Sequence, residues 1–238
     1  MNDSTTIRPS NAFLAALPAR DFAELRPHLR LVEIGQGDVL CENGAPIGHV
    51  LFVESGMISL VTTMRDGRAV ENATLGKEAV FGALSALGAH RANVRAVMQI
   101  AGCVWRVRVE DFREVFERSA AVRRLVLLAS ELSIAQMQQT AACNALHQAP
   151  QRLCRWILQV HDRIDGRHVE LTHEFLAQML ALRRPTVSLI LQELQGAGLV
   201  RYGRGRITVL DRDGLESRAC ECAQVLRDKL RRTLAAMR

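Results

Sequence analysis

Along residues 31–109 short apolar runs are broken by turn residues: Gly35 and Gly37, Asn43-Gly44, Ser55-Gly56, Asp66-Gly67, Gly76, Gly82, Gly88 and Gly102. A turn signal about every 8 to 12 positions predicts an antiparallel β barrel or sandwich. Residues 49–63 read as two strands hinged at Ser55-Gly56, and residues 64–68 as a hairpin turn in which Gly67 takes the positive φ. Residues 11–17 and 21–29 read as short flanking helices, with Asn11 and Asp21 as their caps.

The period then changes. Residues 110–147 contain neither Gly nor Pro, and Val122, Leu125, Ala129, Leu132, Gln136, Gln139, Cys143 and Leu146 recur at alternating spacings of 3 and 4. The pattern predicts one long helix with a coiled-coil seam. At about 1.5 Å per residue the stretch 119–146 runs roughly 40 Å, longer than a compact domain needs for itself. The seam is therefore assigned to a second copy of the chain, with Val122, Leu125, Ala129, Leu132, Gln136, Gln139 and Cys143 as the dimer interface. Flanking Leu127, Leu128 and Ile134 are expected to serve the barrel. Gln136 and Gln139, polar within an apolar stripe, suit either fixing of register or contact with a ligand.

Ala149-Pro150 marks a hinge, after which residues 151–163 form a helix with Leu153, Trp156, Ile157 and Val160 on one face. Asp165-Gly166 is a turn and residues 168–171 a short strand. Thr172 is an N-cap, and Leu176, Leu180, Leu182, Val187, Ile190, Leu191 and Leu194 form an apolar set whose spacing breaks once, at residues 181–183. Pro185 falls in the first turn of the second segment, and Gly196 and Gly198 end it. Two short helices crossing at Ala177 satisfy the pattern: a helix-turn-helix. Residues 199–210 follow as two strands about a Gly203-Arg204-Gly205 turn, a basic wing, and Asp211 caps a last helix over 213–236. The expected class is α+β: an amino-terminal antiparallel β roll (1–110), a long coiled-coil dimerisation helix (111–148) and a carboxy-terminal winged helix-turn-helix (149–238).

Charge sharpens this division. Up to Ala149 there are 15 Lys+Arg and 15 Asp+Glu, whereas residues 150–238 hold 16 against 10, so the net +6 lies wholly in the last 89 residues. That imbalance points to a polyanion, a nucleic acid, at one end of the molecule. At 238 residues, 48% hydrophobic and 24% charged, the composition is that of a folded globular chain. No apolar run approaches the roughly 20 residues of a membrane helix, and the polar start lacks the core of a signal peptide. A soluble cytoplasmic protein with no membrane partner is expected, its six cysteines reduced.

The order of these parts, with Arg184-Pro185-Thr186-Val187-Ser188 opening the second helix, resembles the CRP/FNR superfamily of bacterial transcription regulators over nearly the whole chain. The stretch Thr140 to His147 (TAACNALH) and Cys220-Glu221-Cys222 are similar to one large branch of it. The resemblance implies a homodimer with a recognition helix in the major groove of double-stranded DNA, RNA polymerase as a further partner, and a small effector in the roll. Candidate DNA contacts are Arg183, Arg184, Thr186, Ser188, Leu189 and Gln192 on the recognition helix and Arg201, Arg204 and Arg206 on the wing. Arg184 is the expected guanine reader and the wing arginines the phosphate contacts.

The candidate effector pocket is Gly82, Ala83, Leu84, Arg91, Ala92 and Gln136. Cyclic AMP-binding members of the superfamily carry Gly-Glu-Leu in the phosphate turn, where this chain has Gly82-Ala83-Leu84. Ala83 cannot accept a ribose hydroxyl, although Arg91 retains a cation. Cyclic AMP is therefore an unfavoured ligand. An iron–sulfur cluster needs four thiolates, and the roll offers only Cys41 and Cys103; haem would rest on lone His49 or His90. No metal site is expected: Cys220 and Cys222, two apart on a continuous helix, point about 200° apart, and Cys143 with His147 supplies only two ligands. Catalytic constellations are absent from the sequence. The alternative to a DNA-binding regulator is a ligand-binding scaffold whose winged helix contacts proteins.

Overall fold

The computed structural model describes residues 9–164, 168–203 and 205–236. Asn11 caps the first helix, α1 (Ala12–Ala16), by accepting from the backbone N–H groups of Phe13 and Leu14. Its fully buried amide also donates to the Val53 and Ala79 carbonyls, fastening the helix to the roll. The second helix, α2 (Ala19–Leu25), starts after Pro18. Asp21 is thus not its cap but lies in its first turn, where it accepts from the Ser119 hydroxyl.

Eight strands build the roll: β1 (Arg30–Ile34), β2 (Val39–Cys41), β3 (His49–Val53), β4 (Met57–Thr63), β5 (Ala69–Leu75), β6 (Val80–Phe81), β7 (Arg95–Ile100) and β8 (Gly102–Arg108). They form two four-stranded antiparallel sheets, ordered β1-β8-β3-β6 and β2-β7-β4-β5, around a core that includes Val50, Phe52, Ile58, Met98, Trp105 and Phe112. The hinge at Gly56 has φ 78°, and an added Cβ there would stand 2.4 Å from the Ile100 carbonyl oxygen, so both conformation and space demand glycine. Gly67 has the expected positive φ. A short helix, α3 (Ala83–Leu87), follows β6.

The long helix is two helices, α4 (Val109–Arg118) and α5 (Ala120–Leu146). Ser119 breaks them with extended dihedrals (φ −104°, ψ 116°) and caps α5 by accepting from Val122 N. The interruption carries no Gly or Pro and so was invisible to a breaker search.

The seam on α5 is present, yet its partner is the chain itself. Val122, Leu125 and Ala129 sit in the roll's core. Gln136 donates to Thr74 Oγ1, Gln139 donates to Cys222 Sγ, and Cys143 lies against Cys220. Leu132 lines a hollow of about 90 Å³ with Leu226 and Leu230. Assigning the buried Val122, Leu125, Ala129, Gln136 and Cys143 to a partner subunit is therefore corrected, and so is assigning Leu127 and Ile134 to the barrel: Leu127 is 70% and Ile134 50% exposed, whereas Leu128 is half-buried beside Ala16 and Leu17 on the roll's flank. The exposed face has its own 3-4 repeat: Ala120, Arg124, Leu127, Glu131, Ile134, Gln138, Ala141 and Ala145.

Helix α6 (Ala149–His161) begins with a reciprocal Gln148–Gln151 capping box just after His147 leaves helical dihedrals, so the break precedes Ala149. The predicted turn at Asp165-Gly166 lies outside the described residues. Then come β9 (His168–Glu170), α7 (His173–Leu180), α8 (Arg184–Gly196), β10 (Val200–Gly203), β11 (Arg206–Val209), α9 (Arg212–Arg218) and α10 (Cys222–Ala236). Asp211 caps α9 through Gly214 N, but the final helix is broken at residues 219–221 rather than continuous. Among the described residues no helix is long and apolar enough to cross a membrane.

Candidate nucleic-acid interface and effector domain

The helix-turn-helix is set by its apolar set and by one residue the pattern did not flag. Leu176, Leu180, Val187, Ile190, Leu191 and Leu194 are buried around Trp156 and Ile157 of α6, while Leu182 is only partly covered. Thr172 caps α7 by accepting from Phe175 N. The turn needs a left-handed residue, supplied by Ala181 at φ 51°. Such a conformation gives no hydropathy signal, and alanine rarely adopts it.

Burial of that set leaves the opposite face of α8 outside. Arg183, Arg184, Leu189 and Gln192 are exposed, Leu189 by 67%, and Thr186 is half-buried. Arg184 is the first residue of α8 and Pro185 the second, so the helix presents its amino end with a cation beside it. Ser188 is less available than its sequence position suggests. Its hydroxyl donates to the Arg184 carbonyl (3.1 Å) and thus accepts from His173 Nδ1 (2.8 Å). His173 in turn stacks on Tyr202 of the wing, ring centroids 4.3 Å apart. Burial, and then the Arg184 charge, lower the His173 pKa, keeping the imidazole neutral at pH 7. This Ser188–His173–Tyr202 link ties recognition helix to wing. Tyr202 N also donates to Gln195 Oε1 (2.8 Å).

The wing strands pair with β9 in the order β10-β11-β9. Arg201 and Arg206 are exposed on adjacent strands, and Arg204 lies outside the described residues. The structure thus brings Arg183, Arg184, Leu189, Gln192, Arg201 and Arg206 onto one module with a basic outer surface.

The winged helix-turn-helix module is docked on the roll by polar contacts from α6 and the residues just after it. Trp156 Nε1 donates to Glu71 (2.7 Å), Gln159 Nε2 to Thr74 (2.9 Å), and Arg163 pairs with Glu78. Glu71 also accepts from Ser59 and is almost fully enclosed. Burial pushes its pKa up to about 7, against the opposing pull of the Ser59 and Trp156 hydrogen bonds and the Arg155 and Arg163 charges. Sequence reading passed over Glu71 because a single acid in a strand reads as a solvent-facing residue.

Of the candidate effector residues, Gly82 and Arg91–Ala92 both border the segment 45–49, whereas Gln136 lies apart. Gly82 has φ 84°, and a Cβ there would meet the His49 carbonyl at 3.0 Å; Ala83 and Ala92 are buried, and Leu84 is exposed. The Arg91 guanidinium, at the surface, donates to the Gly44 carbonyl (2.6 Å). Gln136, engaged with Thr74, lines the hollow beside α10, which none of Gly82, Ala83 or Arg91 borders. With no carboxylate at the turn and the cation satisfied by its own loop, these residues do not fit cyclic AMP.

Comparison with known proteins accounts for both halves. Residues 31–119 match the cyclic nucleotide-binding domain family and residues 151–218 the Crp-like helix-turn-helix domain. Over 209 residues, 86% of this chain and 82% of the relative, the sequence is 29% identical to the HTH-type transcriptional regulator Cmr of Mycobacterium tuberculosis (strain CDC 1551 / Oshkosh). These two domains, in this order, are those of CRP/FNR regulators. The chain is a DNA-binding transcription regulator with an effector-binding domain. Its fold is that of FixK2 from Bradyrhizobium japonicum (TM-score 0.69, 18% identity, 81% of this chain and 98% of that one). It is also that of the c-di-GMP responsive regulator CLP from Xanthomonas campestris (TM-score 0.64, 15% identity, 81% and 99%).

Proposed function

We propose that this regulator binds a near-palindromic operator as a homodimer, with α8 of each subunit in successive major grooves about 34 Å apart. The observation that supports the reading is the exposed amino end of α8, where Arg184 and Leu189 project from a fully packed helix-turn-helix. Arg184 reads a guanine edge, Leu189 meets a thymine methyl, and Arg201 and Arg206 hold phosphates. Arg184→Ala is expected to cost about 1–3 kcal/mol and relax preference at one symmetric base pair. Arg201→Ala should weaken all sequences alike and reduce the salt slope by about one unit. Binding-site selection on randomised DNA checks both: an unchanged selected motif for Arg184→Ala places sequence readout elsewhere.

The subunits join through the exposed stripe of α5. RNA polymerase is the protein partner through which the bound dimer acts. The effector of the roll is not cyclic AMP, because Ala83 offers no acceptor and Arg91 is turned to Gly44. Calorimetric titration with cyclic AMP is expected to show no binding in the micromolar range; a micromolar or tighter dissociation constant would refute this.

A further inference from the structure

The break between α9 and α10 creates a feature that the sequence read as continuous helix excluded. On an unbroken helix Cys220 and Cys222 diverge. Here Cys220 lies in the irregular link and Cys222 opens α10, so both thiols turn to the end of α5. They meet Cys143 and His147, which share a face one helical turn apart. The four donor atoms, three Sγ and one imidazole nitrogen, all lie within 4.8 Å of one another. Cys143 Sγ is 3.5 Å from Cys220 Sγ, and Cys222 Sγ 3.6 Å from His147 Nδ1. All three cysteines are at most 3% exposed and form a small cluster apart from the two main cores.

We propose that Cys143, His147, Cys220 and Cys222 bind one zinc ion in a closed, tetrahedral Cys3His site that fastens the end of α5 to the start of α10. Zinc–sulfur bonds of about 2.3 Å at tetrahedral angles place sulfurs about 3.8 Å apart, close to the 3.5 Å between Cys143 and Cys220 and within the 4.8 Å span of the whole cluster. Ligands of an iron–sulfur cluster stand outside a cage of several metal atoms, and this cluster is too tight to enclose one. Three thiolates and one imidazole favour a borderline-soft ion over magnesium or calcium.

The surroundings are those of a ligand set. His147 Nε2 lies 3.1 Å from Glu221 Oε2, which leaves Nδ1 facing the thiols, the carboxylate–histidine arrangement that orients a metal-bound imidazole. Gln139 Nε2 donates to Cys222 Sγ at 3.1 Å, stabilising a thiolate there. The buried guanidinium groups of Arg152 and Arg155 lie within electrostatic reach of the cluster, offsetting the single net negative charge of three thiolates on a divalent ion. The site spans the His147–Gln148 break between α5 and the DNA-binding module. An ion held there fixes the angle at that joint.

The test uses the full-length protein, purified reduced and without chelator. Metal analysis is expected to give one zinc per chain. After chelator stripping under reductant, titration with Co2+ should produce the visible spectrum of tetrahedral thiolate coordination, abolished by added Zn2+. Cys220→Ser and Cys222→Ser should lose that spectrum, while Cys103→Ser in the roll should keep it. Glu221→Gln changes an exposed side chain that the fold does not require, and should weaken zinc about 10- to 100-fold with the circular dichroism spectrum unchanged. The proposal is overturned by purified protein without stoichiometric zinc whose stripped form gives no thiolate–cobalt spectrum. A Cys143–Cys220 disulfide in protein isolated under thiol-blocking conditions, or zinc retained unchanged in both Cys→Ser proteins, overturns it equally.

Discussion

A protein carrying Leu127→Asp and Ile134→Asp is expected to remain folded and to sediment as a monomer, whereas Leu125→Asp alone is expected to unfold. The two exposed side chains have no partner in their own chain's core. In a dimer built on this face, four such side chains, 70% and 50% exposed in the single chain, leave water, each contributing about 1–2 kcal/mol of apolar burial. Their replacement should raise the dimer dissociation constant by at least about 10^3-fold, since each 1.4 kcal/mol is tenfold. Leu125 is 6% exposed, inside the roll's core. Its substitution should cost more than the roughly 2–5 kcal/mol of a Leu→Ala truncation, because the carboxylate must also be desolvated. Sedimentation velocity with circular dichroism separates the outcomes. A folded Leu125→Asp monomer beside an unaffected Leu127→Asp, Ile134→Asp dimer would restore the seam to the interface.

The second large effect concerns Glu71, enclosed between β5 and α6. Its folded pKa of about 7 stands above the ordinary 4.5, chiefly through burial. For an acid shifted upward the sign is fixed: the protonated, docked form contributes its full stability below about pH 4.5 and loses it as pH rises through about 7. A shift of this size corresponds to about 3 kcal/mol between the two limits. Glu71→Gln keeps an acceptor for Trp156 Nε1 and turns its amide NH2 towards Ser59 Oγ, which then accepts instead of donating, while removing the ionisation. The substituted protein should therefore hold its stability from pH 5 to 8.5, where the parent loses about 3 kcal/mol. Denaturation followed by tryptophan fluorescence at each pH, in a Trp105→Phe background so that Trp156 alone reports, measures this. Parallel slopes for the two proteins would mean that Glu71 remains ionised in the folded state.

Short apolar runs and turn spacing determined the roll, because strands such as β3 and β4 are covered on both faces and glycine marks where the chain must reverse. Likewise the single phase break at residues 181–183, with Thr172, Pro185 and Gly198 in their places, determined the helix-turn-helix and the exposed face bearing Arg184 and Leu189. These are local rules acting within one or two elements. What the tertiary structure decided is which neighbour each face meets. Helix α5 carries two interleaved heptad stripes, and periodicity cannot say which one belongs to the chain itself; packing against the roll and α10 took Val122, Leu125 and Ala129 and left Leu127 and Ile134. Ser119 ended a helix by bonding to Asp21, a partner 98 residues away. Glu71 became a buried acid only because Trp156 arrived from 85 residues downstream. The four-residue Cys/His cluster joins positions 143 and 220 through a helix break with no glycine or proline. Long-range contacts of this kind leave no mark on local hydropathy, since the physical requirement is satisfied by a group that sequence spacing does not place nearby.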